Sequence, residues 1–169
     1  QAITWWREAA EQGNANAQSH LGVMYILGDG VEKDSKEAVK WYRMAAKQGH
    51  VYAQNNLGAI YARGEGVAKD IKEAVKWYRM AAEQGEAAAQ LALGRIYAED
   101  RGVLKDNKRA YMWYNIALNN DHELEKFSDL IRAIASENIE KIERRMTQAD
   151  INTAQDMAKR CFVSGYKDC

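Results

Sequence analysis

The chain contains no proline at all, and its only two cysteines, Cys161 and Cys169, both lie at the C-terminal end. Without proline, and with abundant Ala, Glu, Lys, Gln, Arg and Met, the mixture favours helix over strand. There is no surplus of charge, since 24 Lys and Arg balance 24 Asp and Glu. That balance argues against a nucleic-acid binder, which ordinarily carries a basic excess. No apolar run approaches the roughly 18 residues a membrane span requires. No basic segment followed by an apolar stretch opens the chain, so no signal peptide is visible. The first residue is Gln1 rather than Met, which reads as a processed or truncated form. What remains is a globular composition, 47% hydrophobic and 28% charged over 169 residues. A folded domain of this size hides roughly 70% of its unfolded surface.

Displaced by 36 residues, the chain matches itself: 23 of 36 positions are identical between 14–49 and 50–85. A third copy, "AQLALGRIYAEDRGVLKDNKRAYMWYNIAL", occupies 89–118. The opening "AITWWREAAEQG" matches the back half of a copy, with Trp5 and Trp6 over Trp41 and Tyr42. Such self-similarity signals a repeat architecture, in which each unit buries its apolar face against its neighbours.

The stretch "YILGDGVEKD" (25–34) tests whether the repeat carries chemistry. It recurs as "YARGEGVAKD" and "YAEDRGVLKD", so its acid runs through Asp29, Glu65 and Arg101. An arginine in place of a ligand excludes a cation site. Val31 and Lys33 stand where an EF-hand would need oxygen ligands. A phosphate loop would need a preceding strand and a Lys-Ser/Thr pair opening the helix. The stretch is therefore a turn. Gly28 and Gly30 supply positive φ or a close backbone approach, and Val31 fills the gap between helices. Asp34, Asp70 and Asp106 are placed to cap the next helix, with Glu37 and Glu73 at capping-box spacing. Gly13, Gly49 and Gly85 stop each second helix. Each repeat thus reads as helix A (about 15–27), a loop, and helix B (about 35–47).

The pattern A-x-A-Q-x-x-L-G-x-x-Y-x-x-G-x-G-V-x-x-D-x-x-x-A-x-x-W-Y-x-x-A-A closely resembles the Sel1-like repeat family, relatives of tetratricopeptide repeats with a longer interhelical loop. The resemblance covers 2–118 and departs at Asp100 and Leu118. It implies an all-α, right-handed superhelix forming a single domain: a half repeat (1–13), repeats at 14–49, 50–85 and 86–121, and C-terminal capping helices (122–169). It also implies a non-catalytic adaptor or scaffold for a protein or peptide.

On helix A the recurring Ala17, Gln18, Leu21, Gly22 and Tyr25 share one side, the packing face. Gly22, Gly58 and Gly94 each cost a helix about 1 kcal/mol against Ala, which a closely pressed neighbouring helix explains. On helix B, Ala38, Trp41, Tyr42 and Ala45 make the matching stripe. The Trp/Tyr pairs at 41/42, 77/78 and 113/114 are expected in the core rather than in a cofactor cage. Gln18, Gln54 and Gln90 are expected to satisfy buried loop backbone. The variable side of helix A carries Asn16, His20, Val23 and Leu27, then Tyr52, Asn55, Asn56 and Arg63, then Leu91 and Arg95. In solenoids of helical hairpins the first helices line the concave binding surface, so these residues are the candidate partner site, with Tyr52, Arg63 and Arg95 as anchors. Lys36, Lys40, Arg43, Lys47, Lys72, Lys76 and Arg79 line helix B, but interspersed glutamates make this a solvated face.

Beyond 121 the apolar positions 127, 130, 131, 134, 139 and 142 fit one long or two broken amphipathic helices. "TQAD" (147–150) has capping-box form, and Ile151, Ala154, Ala158, Cys161 and Phe162 form a further stripe. Gly165 can turn the chain between Cys161 and Cys169, making a disulfide geometrically reasonable. Two cysteines say little about compartment, with periplasm or secretion set slightly ahead of cytoplasm. His20, His50 and His122 occupy unrelated repeat positions, so neither a metal site nor a cofactor is expected. "SGYK" (164–167) fits the Ser-x-x-Lys of penicillin-recognising enzymes, but no Ser-Asp-Asn or Lys-Thr-Gly accompanies it. A secreted ligand-binding protein or enzyme of that kind is the rival function. A glycan binder would need exposed aromatics on the concave face, where only Tyr52 qualifies.

Overall fold

The computed structural model describes residues 2–99, 102–120, 125–167 and 169, with the backbone alone at 2 and 125–128. The described residues form helices and turns without a strand, in the order α1 (Ala2–Glu11), α2 (Ala15–Leu27), α3 (Ser35–Lys47), α4 (Val51–Arg63), α5 (Ile71–Ala82), α6 (Ala87–Ala98), α7 (Asn107–Leu118), α8 (Glu125–Glu143) and α9 (Gln148–Val163). The fold class is all-α, and α2 and α3 occupy the spans expected for helices A and B. Two compact units divide the chain, Gln1–Trp77 and Tyr78–Cys169.

In the first unit α1 packs on α2, α2 on α3, and α3 on α4. Leu21, fully buried with Ala10, Ala17 and Met24, anchors the α1–α2 contact, and Val31 and Trp41 close over it. Gly22 shows why a glycine is kept mid-helix: a Cβ there would stand 2.6 Å from Tyr42 Cε1. In the second unit Gly94 repeats the arrangement, with a Cβ 2.5 Å from Tyr114 Cδ1. The tyrosine ring of helix B fills the space that a side chain on helix A would need. Trp113 and Tyr114 are fully buried, and Trp41 and Trp77 are partly buried. Trp5, which aligns with Trp41, is instead 75% exposed.

The hairpin turn is a left-handed cap followed by a second left-handed glycine. Gly28 (φ 77°) donates its N–H to the Met24 carbonyl, and Gly30 follows at φ 70°. Gly66 combines positive φ (73°) with close approach, since a Cβ there would meet the Ser35 carbonyl at 2.6 Å. Asp34, Asp70 and Asp106 cap α3, α5 and α7: Asp34 Oδ1 accepts from Lys36 N at 2.9 Å and Glu37 N at 3.1 Å. Asp70 and Asp106 accept from Glu73 N and Arg109 N, both at 3.0 Å. The reciprocal half of the expected capping box is replaced. The Asp34 N–H donates to the Tyr25 carbonyl (3.0 Å), which ties the end of the loop to helix A. Glu37 and Glu73 turn outward to Lys40 and Lys76. At the other end, Gly49 N donates to Ala46 O and His50 N to Ala45 O, the two bonds of a Schellman stop.

The buried glutamines differ from expectation in their target. Gln18 Nε2 donates to Ala10 O (2.9 Å), Gln54 to Ala46 O (3.1 Å) and Gln90 to Ala82 O (3.2 Å). Each carbonyl closes the helix before it rather than lying in an interhelical loop, and helix ends need such partners. In the second unit α8 is one long helix, and α7 packs against α8 and α9. Ile131, Ile139 and Ile142 are buried there, whereas Leu130 is 56% exposed. Phe127 and the departure at Asp100 lie outside the described side chains. Thr147 caps α9, with Oγ1 accepting from Asp150 N at 3.2 Å and donating to Asp150 Oδ2 at 2.9 Å.

Candidate interaction surface

The variable side of helix A is a real surface in the first unit. Along α2, Asn16, His20, Val23 and Leu27 fall at helical spacing on one side, and Leu27 is 69% exposed. Along α4, Tyr52 is 65% exposed and Arg63 is exposed, while Asn55 and Asn56 are half-buried. Several of these groups are already engaged. Asn56 hydrogen-bonds the Tyr42 hydroxyl, which desolvation pushes up to about 12 despite that bond. Arg63 holds Glu65 through two contacts, Nε to Oε1 at 2.6 Å and Nη2 to Oε2 at 3.3 Å. His20 lies against the Trp6 ring, centroids 4.2 Å apart.

His50 links the two first helices at this surface. Its Nδ1 accepts from Ala53 N at 3.2 Å, so it is the N-cap of α4. With Nδ1 an acceptor, the proton of the neutral ring sits on Nε2, which faces Asn16 Oδ1 at 3.1 Å. Burial lowers the pKa of His50 from its ordinary value, in keeping with that neutral form. The signal was present in the register: His50 aligns with Asn14, whose Oδ1 caps α2 through Ala17 N at 3.0 Å.

In the second unit the equivalent positions are placed differently. Leu91, half-buried, packs with Ala88 against Ala87, Ala117, Ile131 and Ala135, so α8 covers part of the first-helix face. Arg95 remains exposed on α6. Its charge partly offsets the desolvation that raises Tyr114 to about 12.

Part of the second-helix stripe is already engaged. Lys40 and Lys76 pair with glutamates at 2.6 and 2.8 Å. Arg43 donates to the Tyr61 hydroxyl and lies over its ring, 5.7 Å from the centroid. Arg7 makes the same bond to Tyr25, at 2.9 Å. These arginines are links from each second helix to the next first helix, a role that sequence spacing alone left invisible.

At the C-terminus Cys161 and Cys169 are disulfide-bonded, with Cα atoms 4.9 Å apart. Ser164, of the Ser-x-x-Lys match, donates its hydroxyl to the Cys161 carbonyl at 3.0 Å, closing α9. Among the described residues no group of three or more His, Cys, Asp or Glu could hold a metal ion. Among them also, no helix is long and apolar enough to cross a membrane.

The Sel1 repeat pattern matches four times, at residues 1–14, 15–50, 51–86 and 87–122. A Sel1 repeat protein from Oxalobacter formigenes is 36% identical over 83% of this chain and 98% of its own, with a TM-score of 0.67. A protective antigen of uropathogenic Escherichia coli, displaying an SLR fold, is 31% identical over 98% of this chain, with a TM-score of 0.69. The chain spans 41% of that antigen's length. No curated protein matches. Four matched repeats, on helices whose caps, glycines and aromatic stripes follow the repeat, settle the family: the chain belongs to the Sel1 repeat family.

Proposed function

We propose that this chain is a non-catalytic scaffold that binds a peptide or partner protein on its first-helix face, the side that is concave in α/α solenoids. Sel1 repeat proteins generally mediate protein–protein interaction. The observation that carries the finer reading is the contrast within each repeat. Packing residues recur, whereas the residues exposed on α2 and α4 change from copy to copy and include a large aromatic, Tyr52, left in solvent. Exposed aromatic side chains are favoured anchors of protein recognition. Asn16, His20, Leu27, Tyr52 and Asn55 form the working set, with Val23 at its edge. Arg63 and Leu91 contribute less, the first being ion-paired and the second packed under α8.

Affinity capture from the source cell's extract tests this. The wild type should retain a partner that a folded variant carrying Tyr52→Ala and Leu27→Ser loses. Equal recovery on both proteins would move recognition away from this face. The rival reading, a penicillin-binding type of protein, predicts covalent labelling of Ser164 by a β-lactam probe; unlabelled protein would sink it.

A further inference from the structure

The first helices α2, α4 and α6 each follow an aligned N-cap residue, Asn14, His50 and Glu86, and the three behave differently toward a proton. Asn14 caps α2 through Ala17 N, and its amide does not titrate. Glu86 precedes α6 without a side-chain bond to the first turn. His50 caps α4 through Nδ1, which accepts from Ala53 N at 3.2 Å. Its Nε2 is committed to Asn16 Oδ1 on α2 at 3.1 Å, and so carries the proton of the neutral ring. A second proton has one place to go, the Nδ1 lone pair that holds Ala53 N–H. Protonation turns that acceptor into a donor facing a donor, and sets a positive charge at the positive end of α4. The bond to Asn16 survives, because Nε2–H still donates. The groups around the ring are neutral at ordinary pH. From α2 comes Asn16, while His20, a turn further on, lies against Trp6. From α4 comes the Tyr52 ring, its centroid 6.1 Å away. The end of α3 offers the Ala45 carbonyl, which accepts from His50 N at 3.2 Å, and Lys47 is the nearest charge along the chain. Burial lowers the pKa of the ring from 6.5, against a smaller opposing effect of backbone hydrogen bonding.

We propose that His50 is an acid-operated latch: on protonation it lets go of Ala53 and frees the first turn of α4, while keeping its hold on Asn16 of α2. Tyr52 lies in that turn, so its ring, 65% exposed, loses a fixed place on the first-helix face in acid. Asn14 holds α2 at every pH, which confines the change to α4. The latch stands on its own geometry. Only its use, letting a partner go as pH falls, rests on the scaffold reading.

The test follows the 15N-labelled chain by NMR from pH 8 to 4.5, with Ala17 as the control inside the same molecule. At pH 8 the His50 ring should be the tautomer with its proton on Nε2. As the ring titrates, the Ala53 amide should shift with the same midpoint. Its hydrogen-exchange protection should fall about fivefold or more relative to Ala17. Ala17 should not respond. His50→Asn should keep the fold and make Ala53 as indifferent to acid as Ala17, and His20→Gln should leave the response intact. A neutral ring protonated on Nδ1, an Ala53 amide that ignores the His50 titration, or a response that persists in His50→Asn or vanishes in His20→Gln would overturn the proposal. So would loss of Ala17 and Ala53 together, since the whole chain would then be unfolding rather than one turn opening. No readout involves a partner, so failure here would leave the scaffold reading standing, and failure of the capture experiment would leave the latch.

Discussion

Replacing Gly94 by alanine separates the packing account from helix propensity, because the two predict opposite signs. In a helix interior alanine is favoured over glycine by about 1 kcal/mol, so propensity alone predicts a more stable protein. Packing predicts the reverse. The added Cβ would stand 2.5, 2.6 and 3.0 Å from Cδ1, Cε1 and Cγ of Tyr114, a ring only 1% exposed beside the fully buried Trp113. Ordinary carbon contacts lie at about 3.5–4.0 Å, so ring or helix must move by about 1 Å within a filled core. Overpacking of that kind costs about 1–3 kcal/mol. Since the ring can neither tilt into solvent nor shorten, the upper half of that range applies, leaving a net loss of about 1–2 kcal/mol after the propensity gain. Urea denaturation followed by circular dichroism should show this as a lower midpoint at unchanged slope. In a Tyr114→Ala background the same change should become stabilising, by about 1 kcal/mol. A Gly94→Ala protein more stable than the wild type, or a cycle without that reversal, would refute the packing account.

Three further outcomes follow from other contacts. Burial lowers the pKa of His50 below 6.5, so the cap is fully present above that value and is lost as pH falls through the lower folded value. His50→Asn, the type of cap that Asn14 supplies to α2, should remove that acid sensitivity, while His50→Ala should cost about 1 kcal/mol at pH 8 in chemical denaturation. Tyr42 and Tyr114 are raised to about 12 by desolvation, so their contribution is complete below pH 10 and is lost as pH rises toward 12. Absorbance titration at the phenolate band should place Tyr42 and Tyr114 among the late-ionising tyrosines, with one fewer late proton in Tyr42→Phe; ordinary titration of both would contradict their burial. Reducing the Cys161–Cys169 bond, which closes a loop with a sequence separation of 8, should cost no more than about 3 kcal/mol. Hydrogen exchange should place the loss at the end of α9, and unchanged protection there would contradict it.

Much of the fold was legible because repetition cross-checks every position. Gly22 and Gly94 each stand against a tyrosine, Asp34, Asp70 and Asp106 each cap a helix, and Gly49 stops one. These roles are local, or set by one neighbour at a fixed offset, so sequence spacing is enough to read them. Partners across the three-dimensional stack are another matter. That Asp34 N–H reaches Tyr25 O, and that Arg43 reaches the Tyr61 hydroxyl 18 residues on, depends on how helices sit together rather than on any pattern along one helix. Leu91 looked free because its position varies between copies, yet α8 lies over it, and α8 belongs to the segment where the repeat has faded. His50 was legible in principle from its alignment with Asn14. Its link to Asn16 was not, because the bond depends on the approach of α4 to the start of α2.

The most direct measurement places a photo-crosslinking residue at Tyr52 in one protein and at Lys40, on the solvated side of α3, in another. Both are then irradiated in the source cell. The account predicts a discrete crosslinked partner from position 52 and none from position 40. A partner captured from position 40 alone would contradict it and assign recognition to the second helices.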